Sequence, residues 1–105
     1  MSRLRVRPLA VADVDHAAAR LFEENPVAAA DFLEALEREF EPLRARPRIG
    51  SRRYATLVKG LRMWKVGGFP YLVFYFEMDG GAEVVRVLHE ARDLPAELRG
   101  TERQA

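Results

Sequence analysis

The sequence predicts an α+β fold: an N-terminal strand, an antiparallel helical hairpin, a three-stranded antiparallel meander and a short C-terminal helical turn. Three observations carry this expectation. Two segments with apolar residues at helical spacing meet at Asn25-Pro26. From Leu61 to Asp93 the chain switches to strand-like runs separated by Gly67-Gly68 and Asp79-Gly80-Gly81. Arg3 to Arg7 alternates charged and apolar residues, the period of a half-buried strand.

The elements follow in order. Leu4 and Val6 point one way and the arginines the other, and Pro8 ends the strand because it cannot donate to a ladder. A first helix is expected over 12–24, where Val14, Ala17, Ala18, Leu21 and Phe22 form one stripe. Asp13 and Asp15 lie near its start, on the side favoured by the helix dipole. Asn25 is a good cap, and Pro26 loses no bond at the first helical position. The second helix is expected from Pro26 to about Arg44, burying Ala29, Phe32, Leu33, Leu36, Phe40 and Leu43. Pro42 lacks a donor and predicts a kink or an early end near Phe40 to Glu41. The short connection makes the pair a hairpin. Residues 46–58 read as a long, basic, mobile loop. Strands are expected over 60–66, 71–77 and 83–89. The middle one is apolar on both faces and therefore central. A helical turn is expected over 95–99, which completes a single domain over 1–99 and leaves 100–105 as a disordered tail.

Composition narrows the functional classes. A length of 105 residues suits one domain. The absence of cysteine removes disulfides, thiolate zinc sites and cysteine nucleophiles, and fits a reducing compartment. The N-terminus lacks the apolar run of a signal peptide, and no segment approaches a membrane span, so the chain reads as cytoplasmic. A net charge of +1 conceals an asymmetry. From Leu9 to Leu43 there are nine acidic residues against Arg20 and Arg38. From Arg44 to Phe76 there are eight basic residues and no acidic one. These are either two solvated faces or a basic surface meeting an anionic partner.

The candidate chemistry is sparse. Ser2 and Ser51 lack a nucleophile-elbow context, and His16 and His89 lack metal-ligand spacing. No cofactor motif is present: Gly67-Gly68 is a turn and not a phosphate loop. What remains is a basic set on adjacent strands and their ends: Arg62, Lys65, Arg86, His89 and Arg92. Arginines on a sheet can grip phosphate bidentately, and a histidine beside them can move protons near neutral pH. Metal-free RNA cleavage needs such parts, and Arg62, Arg86 and His89 would be its residues. Each also has a structural reading: Arg86 paired with a helix carboxylate, His89 bonded to neighbouring backbone, Arg92 paired with Asp93. Trp64, Tyr71, Phe74 and Tyr75 are core-type aromatics.

Several segments resemble the ParE-type toxins of the RelE/ParE superfamily, from type II toxin–antitoxin systems. They are Asn25-Pro26 through Leu33, Arg48-Ile49-Gly50, Gly60 through Val66, Phe69 through Tyr75, and Val87 through Asp93. The resemblance covers about Val6 to Leu98. It implies a cognate antitoxin, of the ribbon–helix–helix type, that wraps its C-terminal segment around the toxin in a hetero-oligomer. Leu21, Phe22, Arg52, Arg53 and Trp64 would contact it. ParE-type members poison DNA gyrase, whereas RelE-type members cleave mRNA on the ribosome. No tyrosine follows the last strand and Lys65 is the lone sheet lysine, a departure from the RelE-type set that favours gyrase. Arg62, Lys65, Arg86, His89 and Arg92 are then expected to bind the target. An antitoxin-binding member without toxicity is the remaining alternative.

Overall fold

The structure, a computed structural model, describes residues 3–103. In chain order it contains β1 (Arg3–Val6), α1 (Pro8–Glu24), α2 (Pro26–Ala45), two 3-10 turns (Pro47–Ile49 and Arg53–Thr56), β2 (Arg62–Lys65), β3 (Tyr71–Met78), β4 (Gly81–His89) and α3 (Leu94–Glu97). The strands form one sheet in the order β1-β4-β3-β2. β1 runs parallel to β4, and the other neighbours are antiparallel. The expected α+β architecture is the observed one.

The sheet has an apolar layer on each face. The helical hairpin covers one face, where Phe32, Leu36 and Leu43 meet Tyr71, Val73, Tyr75, Val84 and Val87. On the other face Leu72, Phe74, Phe76, Val85 and Leu88 pack against Val58, Leu61, Leu94 and Leu98, with Tyr54 and Met63 at the margin. β3 is internal and buried from Tyr71 to Phe76, which explains its lack of polar alternation.

Several boundaries differ from the sequence expectation. α1 begins at Pro8 and not at residue 12. A proline that ends a strand is also suited to the first helical position, where its missing N–H costs nothing. α2 continues through Pro42 to Ala45. The helix continues past the missing donor: the next residue, Leu43, is fully buried, and the Pro42 carbonyl accepts from Arg46 N–H. β4 starts at Gly81, where β1 lies alongside. A Cβ on Gly81 would collide with the Arg3 carbonyl, so this close parallel pairing requires glycine. The final turn spans Leu94–Glu97, with Asp93 as its cap. Part of the expected tail makes contacts with the sheet. Thr101 is buried, and Arg103 lies over the Phe76 ring while donating to the Glu77 carbonyl at 2.7 Å. Residues 104 and 105 of the expected tail lie outside the described residues.

The basic loop is also more structured than its composition suggests. The buried Tyr75 hydroxyl accepts from Gly50 N–H at 2.8 Å and donates to the Pro47 carbonyl at 2.7 Å. Arg62 donates to the carbonyls of Arg48 and Gly50 at 2.9 and 3.0 Å. Ser51 forms a bridge with Met63 at the outer edge of β2. Desolvation raises the Tyr75 pKa, which keeps the phenol neutral and able to donate. Tyr75→Phe should therefore lower unfolding stability by about 1–3 kcal/mol, since it leaves the buried Gly50 N–H without an acceptor. Urea denaturation of the two proteins measures this, and equal midpoints would refute the anchoring role.

Candidate functional site

The basic set expected to converge on the meander divides into separate environments. Arg62 faces the loop carbonyls described above, at the end of β2 that pairs with Tyr75. Lys65 lies at the opposite end, beside Leu72 of β3, and pairs with Glu90 at 3.6 Å. His89 pairs in register with Tyr71, the neighbour of Leu72. Lys65, His89 and Arg92 thus share one end of the sheet, and Arg62 does not.

Arg86 is not an exposed member of this set: it is 8% exposed. Its position follows from a bulge. Phe74 pairs with Arg86 but Tyr75 pairs with Val84, so Val85 has no partner. A bulge redirects the neighbouring side chain. β1 ends at Val6, beside Val84, so the remainder of β4 has no strand on that side. The Arg86 guanidinium reaches Asp13 of α1 at 2.7 and 2.9 Å, the Glu97 carbonyl at 2.7 Å and the Glu97 carboxylate at 3.2 Å. Asp13 also accepts the unpaired Val87 N–H at 3.0 Å. The hydrogen bond to Asp13 raises the Arg86 pKa against the opposing effect of burial. The side chain is committed to structure, as its sequence-level alternative anticipated, and offers nothing to a substrate.

Beyond Arg86 the edge of β4 opens into a cleft of about 310 Å³ against α1. Leu9, Ala12, His16, Ala17 and Arg20 form one wall, and Tyr71, Leu88, His89 and Arg92 form the other. His89 Nδ1 accepts from Ala91 N–H at 3.0 Å, which assigns the ring proton to Nε2. Its ring stands edge-on to Tyr71 at 5.2 Å. Arg92 pairs with Glu97 at 2.8 Å and not with Asp93. Arg92 is the main cause that lowers the Glu97 pKa below its ordinary 4.5. Asp13, His16, Arg20 and Glu97 were not among the sequence candidates. The spacing of His16 and Arg20, one helical turn apart, was the available signal; the Asp13–Arg86 pairing joins residues 73 apart and has none.

The residues expected to contact an antitoxin do not form one patch. Phe22, on α1, is 60% exposed, and Leu21 packs at the margin of the hairpin-side core. Arg52 and Arg53 are exposed beside the 3-10 turn whose Tyr54 belongs to the opposite core. Trp64 is half-buried and donates to Glu39 at 3.0 Å. The clearest apolar groove lies elsewhere, between β1 and the hairpin. It encloses about 270 Å³ and is lined by Val6, Val11, Val14, Leu33, Leu36 and Phe40, with Asp15 and Glu37.

Among the described residues no group of three or more His, Cys, Asp or Glu could hold a metal ion. None of the described helices is long and apolar enough to cross a membrane. In comparison with known proteins, the model of the family described as "ParE toxin of type II toxin-antitoxin system, parDE" matches residues 4–94. A solved structure titled as the chromosomal ParDE TA system from P. aeruginosa is similar in fold. Its TM-score is 0.72 at 19% identity, covering 85% of this chain and 96% of that one. No curated protein matches the chain.

Two outcomes test the ion-pair network. Arg86→Ala should destabilise the fold by about 3–5 kcal/mol, because it strands Asp13 in a site where both side chains are only about a tenth exposed. Chemical denaturation at neutral pH reads this; a loss near zero would assign Arg86 to the surface. Glu97 has a folded pKa below its unfolded value, so its contribution is present above about pH 4.5 and is lost as pH falls through the lower folded value. Glu97→Gln should accordingly flatten the acid limb of the stability profile below pH 4.5, as measured by thermal unfolding across pH.

Proposed function

Because the chain belongs to the ParE toxin family of type II toxin–antitoxin systems, we propose that it inhibits DNA gyrase by binding and is neutralised by a cognate antitoxin in a cytoplasmic hetero-oligomer. The observation that carries the non-enzymatic reading is the commitment of Arg86 to Asp13 and Glu97. A ribonuclease using Arg62, Arg86 and His89 needs a cation free to stabilise the phosphorane. Here Arg86 is buried and paired, and Arg62 is held by loop carbonyls at the other end of β2. The same three residues do not make one site.

The exposed set at the end of the sheet supports target binding. His89 and Arg92 flank the cleft, and Lys65 lies at the same end of the sheet on β2, across β3 from His89. For the antitoxin, the groove between β1 and the hairpin suits an apolar segment, and the exposed Phe22 extends the apolar surface of α1. Arg52 and Arg53 supply positive charge for an acidic stretch of the same partner, which a ribbon–helix–helix antitoxin with a long C-terminal arm could bring to both faces.

The reading is tested by adding purified protein to gyrase. Supercoiling should fall, or cleaved DNA should accumulate, at micromolar protein, and translated mRNA should remain uncut. The product of a short adjacent reading frame should abolish the effect. No change in gyrase activity together with new mRNA cuts would replace the proposal with the ribonuclease reading. Growth arrest with neither effect would point to another target.

A further inference from the structure

We propose that the cleft between α1 and the open edge of β4 is a binding site for a phosphate group carried by a small ligand of up to mononucleotide size. The cleft belongs to the same end of the molecule as the target-binding set, but the proposal does not depend on gyrase.

Its floor is an unpaired strand edge. Glu90 N–H bonds the Pro70 carbonyl of the neighbouring strand. By alternation along β4, Leu88 also faces β3, while Val87 and His89 face outward. The outward Val87 N–H is taken by Asp13. The same alternation turns the His89 N–H outward, on the edge that lines the cleft. Beside it, the ring Nε2–H of His89 is a second donor, since Nδ1 is occupied by Ala91. From the facing helix come the His16 ring and the Arg20 guanidinium. Arg20 forms no ion pair among the described residues. Arg92 completes the set with the part of its guanidinium not bonded to Glu97.

The local charge is positive. The Asp13 carboxylate is consumed by Arg86 and Val87, and Glu97 is shared by Arg86 and Arg92. Three arginines, Arg20, Arg86 and Arg92, therefore face these two carboxylates. Of the other acids at this end, Glu90 pairs with Lys65, and Glu24 lies outside the cleft lining, in a smaller continuation past Arg20 and Tyr71.

The donor arrangement selects among anions. The donors belong to residues on α1 on one side and on the end of β4 and the turn after it on the other. A planar carboxylate presents its lone pairs in one plane, whereas a terminal phosphate presents three oxygens tetrahedrally and pairs well with arginine forks. The volume of about 310 Å³ exceeds a phosphate alone. The surplus is bounded by Leu9, Ala12 and Leu88, which suits the organic part of a small ligand. The phosphates of an intact duplex lie along its convex backbone and do not reach into a recess of this kind.

Amide and histidine NMR of the full chain tests the site, with inorganic phosphate, adenosine 5′-monophosphate and glutarate as probes near neutral pH. Phosphate and the nucleotide should give saturable shifts centred on His89, Leu88, His16 and Arg20, with Kd at or below about 1 mM. The nucleotide should bind more tightly, and glutarate at least about tenfold more weakly. Arg20→Gln, an exposed position, should weaken phosphate binding about tenfold without altering thermal unfolding, and Arg52→Gln should leave it unchanged. Three results would overturn the proposal: no saturation by about 20 mM, equal binding of glutarate, or equal losses in the two variants. Gyrase is absent from this experiment, so its result is separate from the fate of the target assignment.

Discussion

The contact between Arg86 and Asp13 organises the molecule. It joins the hairpin to the last strand, and through Glu97 it also fixes the short helix after that strand. The geometry depends on the bulge at Val85, which brings Arg86 to the edge that β1 leaves open. Asp13 then satisfies both the guanidinium and the Val87 N–H. A buried pair gains little over a well-packed apolar alternative, but losing one partner is costly. Its role is therefore to specify one arrangement of α1 on the sheet. The small residues Ala10 and Ala17, both buried on α1, let the helix lie close enough for this contact.

This commitment redistributes the remaining charge. With Arg86 neutralised inside, two sets stand out among the accessible basic residues. One comprises His16, Arg20, His89 and Arg92 around the cleft at the end of β4. The other is the loop set of Arg48, Arg52 and Arg53, exposed beyond β2. Arg48 is partly compensated by Glu77 at 2.8 Å. An acidic helical pair and a basic loop therefore do not translate into two simple faces, because the cleft draws its cations from the acidic half as well as from the sheet.

Much of the fold is legible from local signals. Asn25 accepts from Val27 N–H at 3.0 Å, as a cap before Pro26 should. The alternation in Arg3–Val6, the all-apolar run of β3 and the glycine turns each identify their elements. The failures have equally specific causes. Pro8 carries one signal for a strand end and another for a helix start, and the structure uses both. The burial of Leu43 after Pro42 and the contacts of Arg103 to Phe76 and Glu77 are set by tertiary packing, which local sequence does not display. The site was less legible because its pairings are long-range. Nothing near Arg86 in sequence reveals Asp13, and a bulge leaves no clear mark in a valine-rich strand. Grouping His16 with Arg20 needed only helical spacing, but relating them to His89 required the position of α1 on the edge of β4.

The parallel pairing of β1 with β4 has a temporal consequence. The first strand has only the last strand as its neighbour in the sheet. During vectorial synthesis the hairpin can form early, while Arg3–Val6 must wait for Gly81–Val84 to emerge. Such sequence-distant pairing delays closure of the native topology. The lock between Asp13 and Arg86 closes with the same late segment. A nascent chain therefore presents helices before it possesses a sheet edge, a cleft or the strand end that holds His89. The cleft and the strand end that holds His89 are completed together with this late segment.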